Sequence, residues 1–459
     1  MKRLTLLTVV SMCLSAGVHA SDWTPLFNGK DLSNWQQLGG TAKFTVEDGV
    51  IVGESKMGTP NSFLTTKSTY DDFIFEAEIK IEEGLNSGIQ FRSQSIPSFH
   101  NGRVFGYQAE IDTSIRKWSG GIYEEAKRGW LYNLSRNQSC QNAFQNNQWN
   151  HYRIEAIDNH IRTWVNEVPC SDLLDNQDGN LNGFIAFQVH SIKNKDLAGK
   201  QVKMRNPRVL TEQLHQNQWY TPTETQQISY QINTLSSKEK QQGWRLLWDG
   251  KTTNGWKGVN SDTFPSSGWG IENGELIVYS SGGEYRDGGD IISKEAFTDF
   301  ELEVDFKITE AANSGIKYFV DPNYLKSNGS AIGLEFQILD DAKHPDAKKG
   351  HLGNRTIGSL YDLIPASNLS DPTSDTKRVK QLGSWNRARI VVKDGHVEHW
   401  LNNIKVVEYP RGGQMFQALV KKSKYEKWDN FGEWKQGPIL FQDHGDQVHF
   451  RTIKIKTFD

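Results

Sequence analysis

The chain is poor in the residues that would announce a self-contained site. It holds three cysteines and five methionines in 459 residues, and no histidine or carboxylate flanks Cys140 or Cys170 as a metal or nucleophile role requires. Net charge is nearly absent, with 52 basic against 55 acidic side chains, so neither a nucleic-acid patch nor an anionic-membrane surface is indicated. One apolar run, Leu4 to Val18, is too short for a membrane span. There is no G-x-S-x-G elbow, no H-E-x-x-H helix, no P-loop and no dinucleotide glycine fingerprint. Any site must therefore be assembled by strands converging in space.

The apolar run follows Lys2 and Arg3 and ends at Val18-His19-Ala20 before Ser21, the pattern of a cleaved secretory signal over residues 1–20. This predicts a secreted or periplasmic protein. Val10-Ser11-Met12 ahead of Cys13 is not a lipoprotein cleavage box, so the expected product is not lipid-anchored. An oxidising compartment lets Cys140 and Cys170 pair as a disulfide if their strands are neighbours, with buried thiols as the alternative.

Aromatic residues are plentiful, with 15 Trp, 14 Tyr and 22 Phe beside 41 Gly, as in β-rich proteins with thin cores. The strongest signal is an internal repeat. Leu26-Phe27-Asn28-Gly29-Lys30 with Trp35 returns as Leu247-Trp248-Asp249-Gly250-Lys251 with Trp256. The segments from Phe73, Gln148 and Gly183 return from Phe300, Ser384 and Gly437, with the largest insertion between Pro410 and Gly437. Phe75, Ile79 and Ile81 alternate with Glu76, Glu78 and Lys80, and Val304, Phe306 and Ile308 alternate likewise, which predicts half-buried strands. Asp48-Gly49 and Asn273-Gly274 are tight-hairpin signals. The reading is all-β: two tandem jelly-roll β-sandwiches, 21–210 and 244–459, joined by a polar linker over 211–243. Ser236 with Glu239 forms a capping-box pattern there, which predicts a short helix.

Strand alternation proposes the sites. Gln188 and His190 share one face of FQVH, as Gln442 and His444 do in FQDH. Gln108, Glu110 and Asp112 share a face in the first copy; Glu335 and Gln337, with Asp340 at the strand end, answer them in the second. After an Asn-Ser-Gly turn, Gln90 and Arg92 alternate with apolar residues, and Lys317 stands in the second copy. Tyr123 and Tyr361 follow in GGIY and GSLY. A single strand histidine or carboxylate is most often structural. Polar residues kept at one pleat phase in two divergent copies argue for a site. Trp118, Trp130 and Trp164 are read as core, with sugar stacking as the alternative.

LFNGKDLSNW, the NSGI segment, LEFQILDD, GSLYDL, SWNRARIVVKDGHVEHWLNN and GPILFQDHGDQVHFRTIKI together resemble the 3-keto-disaccharide hydrolase domain family, with the second copy closer to the common pattern. The resemblance implies a concanavalin A-like lectin/glucanase fold and cleavage of glycosides already oxidised to a ketone at sugar carbon 3. Carried over, it implies His444 and Glu335 as acid/base residues, supported by Asp340, Tyr361 and Lys317. His190, Glu110, Asp112, Tyr123 and Arg92 occupy the matching region of the first copy, with Gln337, Gln442 and Gln188 as substrate contacts. A divalent cation held by histidine and carboxylates is an alternative electrophile. The expected partner is an oligosaccharide or glycoside, and a non-catalytic sugar-binding protein is the competing reading.

Overall fold

The computed structural model describes residues 23–177, 179–281, 288–325 and 331–458; the secretory segment expected over 1–20 lies outside them. Both halves fold as sandwiches of two antiparallel sheets, and the jelly-roll reading holds. Seven strands matter to the sites. In the first copy these are β1 (Asn86–Gln94), β2 (Phe105–Asp112), β3 (Ile122–Glu125) and β4 (Phe184–Val189). In the second they are β5 (Asn313–Leu325), β6 (Ala331–Leu339) and β7 (Gly437–Phe441). The site-bearing sheets run β3-β2-β1-β4 and β7-β5-β6, with further strands outside β3, β4 and β7.

Alternation builds the core as expected. Ile89, Ala109, Ile111 and Phe187 turn inward between the sheets of the first copy, while Ile316, Phe336, Ile338 and Phe441 do so in the second, all at or below 1% exposure. The opposite face keeps the polar residues, leaving one small apolar patch on each copy: Phe63, Val104, Phe184 and Ala186 in the first, and Val259, Ile292, Val320, Ala331 and Leu440 in the second. Asp48-Gly49 and Asn273-Gly274 both take left-handed φ at each residue and close two-residue hairpins, pairing Glu47 with Val50 and Glu272 with Glu275. Trp118 and Trp164 are buried at 0% and 2% exposure.

Asn-Ser-Gly does not turn. Asn86 and Asn313 open β1 and β5, and the glycine is needed further in. A Cβ on Gly88 would stand 2.2 Å from the Gln108 side chain, and one on Gly315 would stand 2.2 Å from Glu335 Oε1. The repeated glycine makes room for a polar side chain crossing from the neighbouring strand.

Between the copies, Ser236 Oγ accepts from the Glu239 N–H at 3.1 Å and Glu239 Oε2 accepts from the Ser236 N–H at 2.8 Å, capping the helix Ser237–Gln241. Ile228–Ser229 pairs in parallel with Val168–Leu174, so the linker is docked rather than loose. Cys140 and Cys170 are joined by a disulfide, with Cα atoms 5.1 Å apart, closing a loop of 30 residues' separation. Loop-closure entropy for that length is about 3–4 kcal/mol. The double Cys→Ser variant is therefore expected to lose about that much stability in the first domain, measured by urea unfolding; an unchanged midpoint would refute the assignment.

Candidate functional site

Register aligns the two copies residue by residue. Gln90 pairs with Gln108 and Gly88 with Glu110 in β1–β2; Lys317 pairs with Glu335 and Gly315 with Gln337 in β5–β6. Glu335 thus stands where Gln108 stands, and Glu110 where Gln337 stands. The carboxylate has moved two residues along the strand, about 7 Å at the usual rise. The tyrosines correspond: Tyr123 pairs with Gln108, and the Tyr361 N–H donates to the Glu335 carbonyl at 3.0 Å.

In the first copy a continuous side-chain network crosses the face. Gln90 and Gln188 donate to Gln108 Oε1 at 2.6 and 3.0 Å, and Gln108 Nε2 donates to Glu110 Oε2 at 2.9 Å. Asn86 and Arg116 donate to Glu110 Oε1 at 2.6 and 3.0 Å, and Arg116 Nε donates to Asp112 Oδ2 at 2.8 Å. Burial pushes Glu110 up to about 7 despite the opposing Arg116 charge. Glu110, Asp112, Tyr123, Trp130 and His190 line a cleft of about 1060 Å³. His190 Nδ1 lies 2.7 Å from the Ser191 carbonyl, which can only accept. Nδ1 therefore donates, which leaves Nε2 as the ring nitrogen turned to other partners. A carboxyl titration of Glu110 followed by ¹³C NMR is expected to have its midpoint near 7 and to move higher in Arg116→Gln, which removes the lowering charge; a midpoint in the ordinary carboxylate range would refute this.

In the second copy a chain of polar contacts runs from Tyr361, whose N–H is bonded to the Glu335 carbonyl, to Gln337 on the same strand as Glu335. Tyr361 Oη donates to Asp346 Oδ2 at 2.6 Å, and the Asp346 N–H donates to His344 Nδ1 at 3.1 Å. The His344 and His444 rings lie 5.9 Å apart, and His444 Nδ1 is 3.8 Å from Asp446 Oδ2. Asp446 Oδ2 accepts from the Asn313 N–H at 3.0 Å, and Asn313 Oδ1 faces the Gln337 amide at 3.2 Å. Gln337 follows Glu335 on the same face of β6. Burial and the bond to Asp346 push the Tyr361 hydroxyl up, so it keeps its proton. Lys317, 2% exposed, donates to the Ala331 carbonyl at 3.2 Å and lies 3.6 Å from Asp290 Oδ2. Part of the 411–436 insertion closes the far side, with Lys424 Nζ 3.8 Å above the Tyr361 ring. Gln442 is buried at the end of β7, its N–H on the Gly315 carbonyl.

One expected site residue is displaced. Arg92 has φ 46°, and the bulge in β1 turns it off the polar face into the space between the sheets. There it donates to the carbonyls of Asp71, Asp158 and Ala156 and to the Asp72 carboxylate. Phe319 repeats the conformation with φ 49° and enters the second core. Asp340 is a loop anchor, its oxygens accepting the N–H groups of Ala311 and Ala342 at 2.8 and 3.1 Å. It thereby sets the loop that carries His344 and Asp346. Those two residues and Arg116 escape a strand-phase reading because they stand on loops; the Asp-bearing stretch just past β6 is the signal that pointed nearest to them.

Among the described residues two groups of three could hold a cation: His344, His444, Asp446 and His396, Glu398, Glu408. In the first, His344 Nδ1 accepts a backbone N–H, which puts the ring proton on Nε2 and presents a donor instead of a metal-binding lone pair. In the second, Lys405 already holds both glutamates, at 3.2 and 2.6 Å. Neither fits a cation well.

Comparison with known proteins agrees with the duplicated architecture. The model of the 3-keto-alpha-glucoside-1,2-lyase-like domain matches residues 22–210 and again 243–456. A 3-keto-disaccharide hydrolase of Bacteroides thetaiotaomicron is 36% identical over 250 residues, covering 50% of this chain and 83% of that protein. Among solved structures, a glycosyl-hydrolase candidate from Parabacteroides distasonis is 30% identical with a TM-score of 0.43, over 50% of this chain and 100% of the other. The carbohydrate-binding module CBM66 of Bacillus subtilis is 16% identical with a TM-score of 0.30, over 39% and 98%. The chain belongs to the 3-keto-alpha-glucoside-1,2-lyase-like domain family and carries two copies of its domain.

Proposed function

We propose that the protein cleaves the glycosidic bond of 3-keto-glycosides and that the second copy performs the chemistry. The observation that carries this reading is the setting of Glu335: Lys317 stands opposite in register, the Tyr361 N–H donates to the Glu335 carbonyl, and from Tyr361 a chain of contacts leads through Asp346 and His344 to His444. The family and the Bacteroides relative support the substrate class.

A C3 ketone acidifies the hydrogen on C2. Glu335 takes that proton, the C2–H electrons form an enolate, and the enolate collapses with breakage of the C1–O bond. His444 supplies the proton to the departing oxygen. Water then adds across the new C1–C2 double bond: its oxygen bonds to C1 as His444 takes one of its protons, and Glu335 returns its proton to C2, so both groups are restored and the sum is hydrolysis. The Nε2–H of His344 and the Lys317 ammonium offer positive hydrogen to the enolate oxygen as charge develops. Export to the periplasm or beyond is part of the proposal, supported by the first twenty residues and by the Cys140–Cys170 bond.

The purified mature protein is expected to release free sugar from a 3-keto-glucoside and to leave the unoxidised glucoside intact, read by chromatography of both products. Retained sugar binding without turnover of any keto-glycoside would overturn the reading.

A further inference from the structure

We propose that the second copy supplies one wall of the first copy's cleft and that Arg378 is a positioning residue for a glycoside bound there. Thr373 and Arg378 line the cleft together with Tyr123 and Trp130 of the first copy. The segment that carries them is joined to the first site by charge. Asp371, 1% exposed, places Oδ2 3.6 Å from Arg116 Nη1, and the same guanidinium holds Glu110 and Asp112.

Arg378 is held in an uncommon backbone state. Its φ is 58°, its N–H donates to Thr376 Oγ1 at 3.2 Å, and its carbonyl accepts from Asn402 Nδ2 at 2.8 Å. A left-handed arginine persists only where its surroundings impose it, and such positions concentrate at binding sites. Of the three arginines lining the cleft, Arg103 pairs with Glu125 at 2.9 Å and Arg116 pairs with Glu110 and Asp112. Among the described residues no carboxylate lies within ion-pair distance of Arg378, and its Nε is shielded from solvent without a hydrogen-bond partner. A planar guanidinium in that state matches paired oxygens on a ligand, as a sugar presents. A cleft of about 1060 Å³ is at the upper end of small-molecule sites and admits more than one sugar ring. The ligand is thus a glycoside of at least two units, one end beside Glu110 and the other under Arg378. This holds whichever copy performs cleavage, because it concerns binding.

The test uses the full chain with a 3-keto-glucosyl disaccharide and its unoxidised parent, combining calorimetric titration with hydrogen–deuterium exchange. Ligand is expected to protect peptides covering 105–132 and 371–380 together. Arg378→Ala should weaken binding at that site at least tenfold, Arg378→Lys should recover part of the loss, and Thr373→Trp should block it. Protection of 105–132 without 371–380, unchanged affinity in Arg378→Ala, or no protection of 105–132 at all would each overturn the proposal. Loss of turnover with these protections intact would count against the proposed reaction alone.

Discussion

Glu335→Gln is expected to lower kcat on a 3-keto-glucoside by about 10²–10⁴-fold, the usual contribution of a positioned general base, equivalent to about 3–5 kcal/mol of transition-state stabilisation. The change is a demanding test because glutamine is what the first copy already carries there: Gln108 occupies the matching register and lies over Gly88 as Glu335 lies over Gly315. The fold accommodates either residue, so the loss should fall on kcat and not on stability. Glu110→Gln should leave most of the turnover in place, since its carboxyl sits one pleat away and is tied to Asn86, Gln108 and Arg116. Full activity in Glu335→Gln together with loss in Glu110→Gln would move the chemistry to the first copy.

The swap of carboxylate and amide was legible in the sequence because strand phase is an exact alternation, and both copies obey it from Asn86 to Gln90 and from Asn313 to Lys317. Arg92 marks where that reading ends. A single left-handed residue resets the phase, and only Phe319 at the same place, apolar where Arg92 is charged, hints that the position faces inward. Asp340 shows a second limit of alternation. A carboxylate just past a strand end serves loop amides as readily as substrate, and alternation does not distinguish the two. His344, Asp346, Arg116 and Arg378 lay beyond reach altogether, because loops carry no period and Arg378 meets its cleft only through the packing of one copy on the other.

That packing rests on buried charge, and breaking it should have the largest effect on stability. Glu303, 3% exposed, lies 3.1 Å from Lys454, 3.7 Å from Arg387 and 3.9 Å from both Arg136 and Arg389. Arg136 comes from the first copy, and Lys454 also holds Glu239 of the linker helix at 2.5 Å, so one cluster ties both domains and the connection between them. Burial alone would raise the Glu303 carboxyl, but the surrounding cations outweigh it and hold it far below the usual range; Glu301, beside Arg389, Lys456 and Arg136, is likewise held down to about 2. Removing one partner from such a cluster leaves uncompensated cations, which costs about 3–5 kcal/mol. Glu303→Ala should therefore lower Tm by on the order of 10 °C in calorimetry near neutral pH. The acid dependence has a definite sign. A carboxyl whose folded pKa is depressed contributes stability above its unfolded value, near 4.5, and that contribution drains away as pH falls toward the folded value, about 2 for Glu301. The native protein should lose Tm steeply between pH 4.5 and 2, and Glu303→Ala, already lacking one such carboxyl, should lose less over that interval. Equal acid slopes with an unchanged neutral Tm would show that the cluster contributes nothing to holding the copies together.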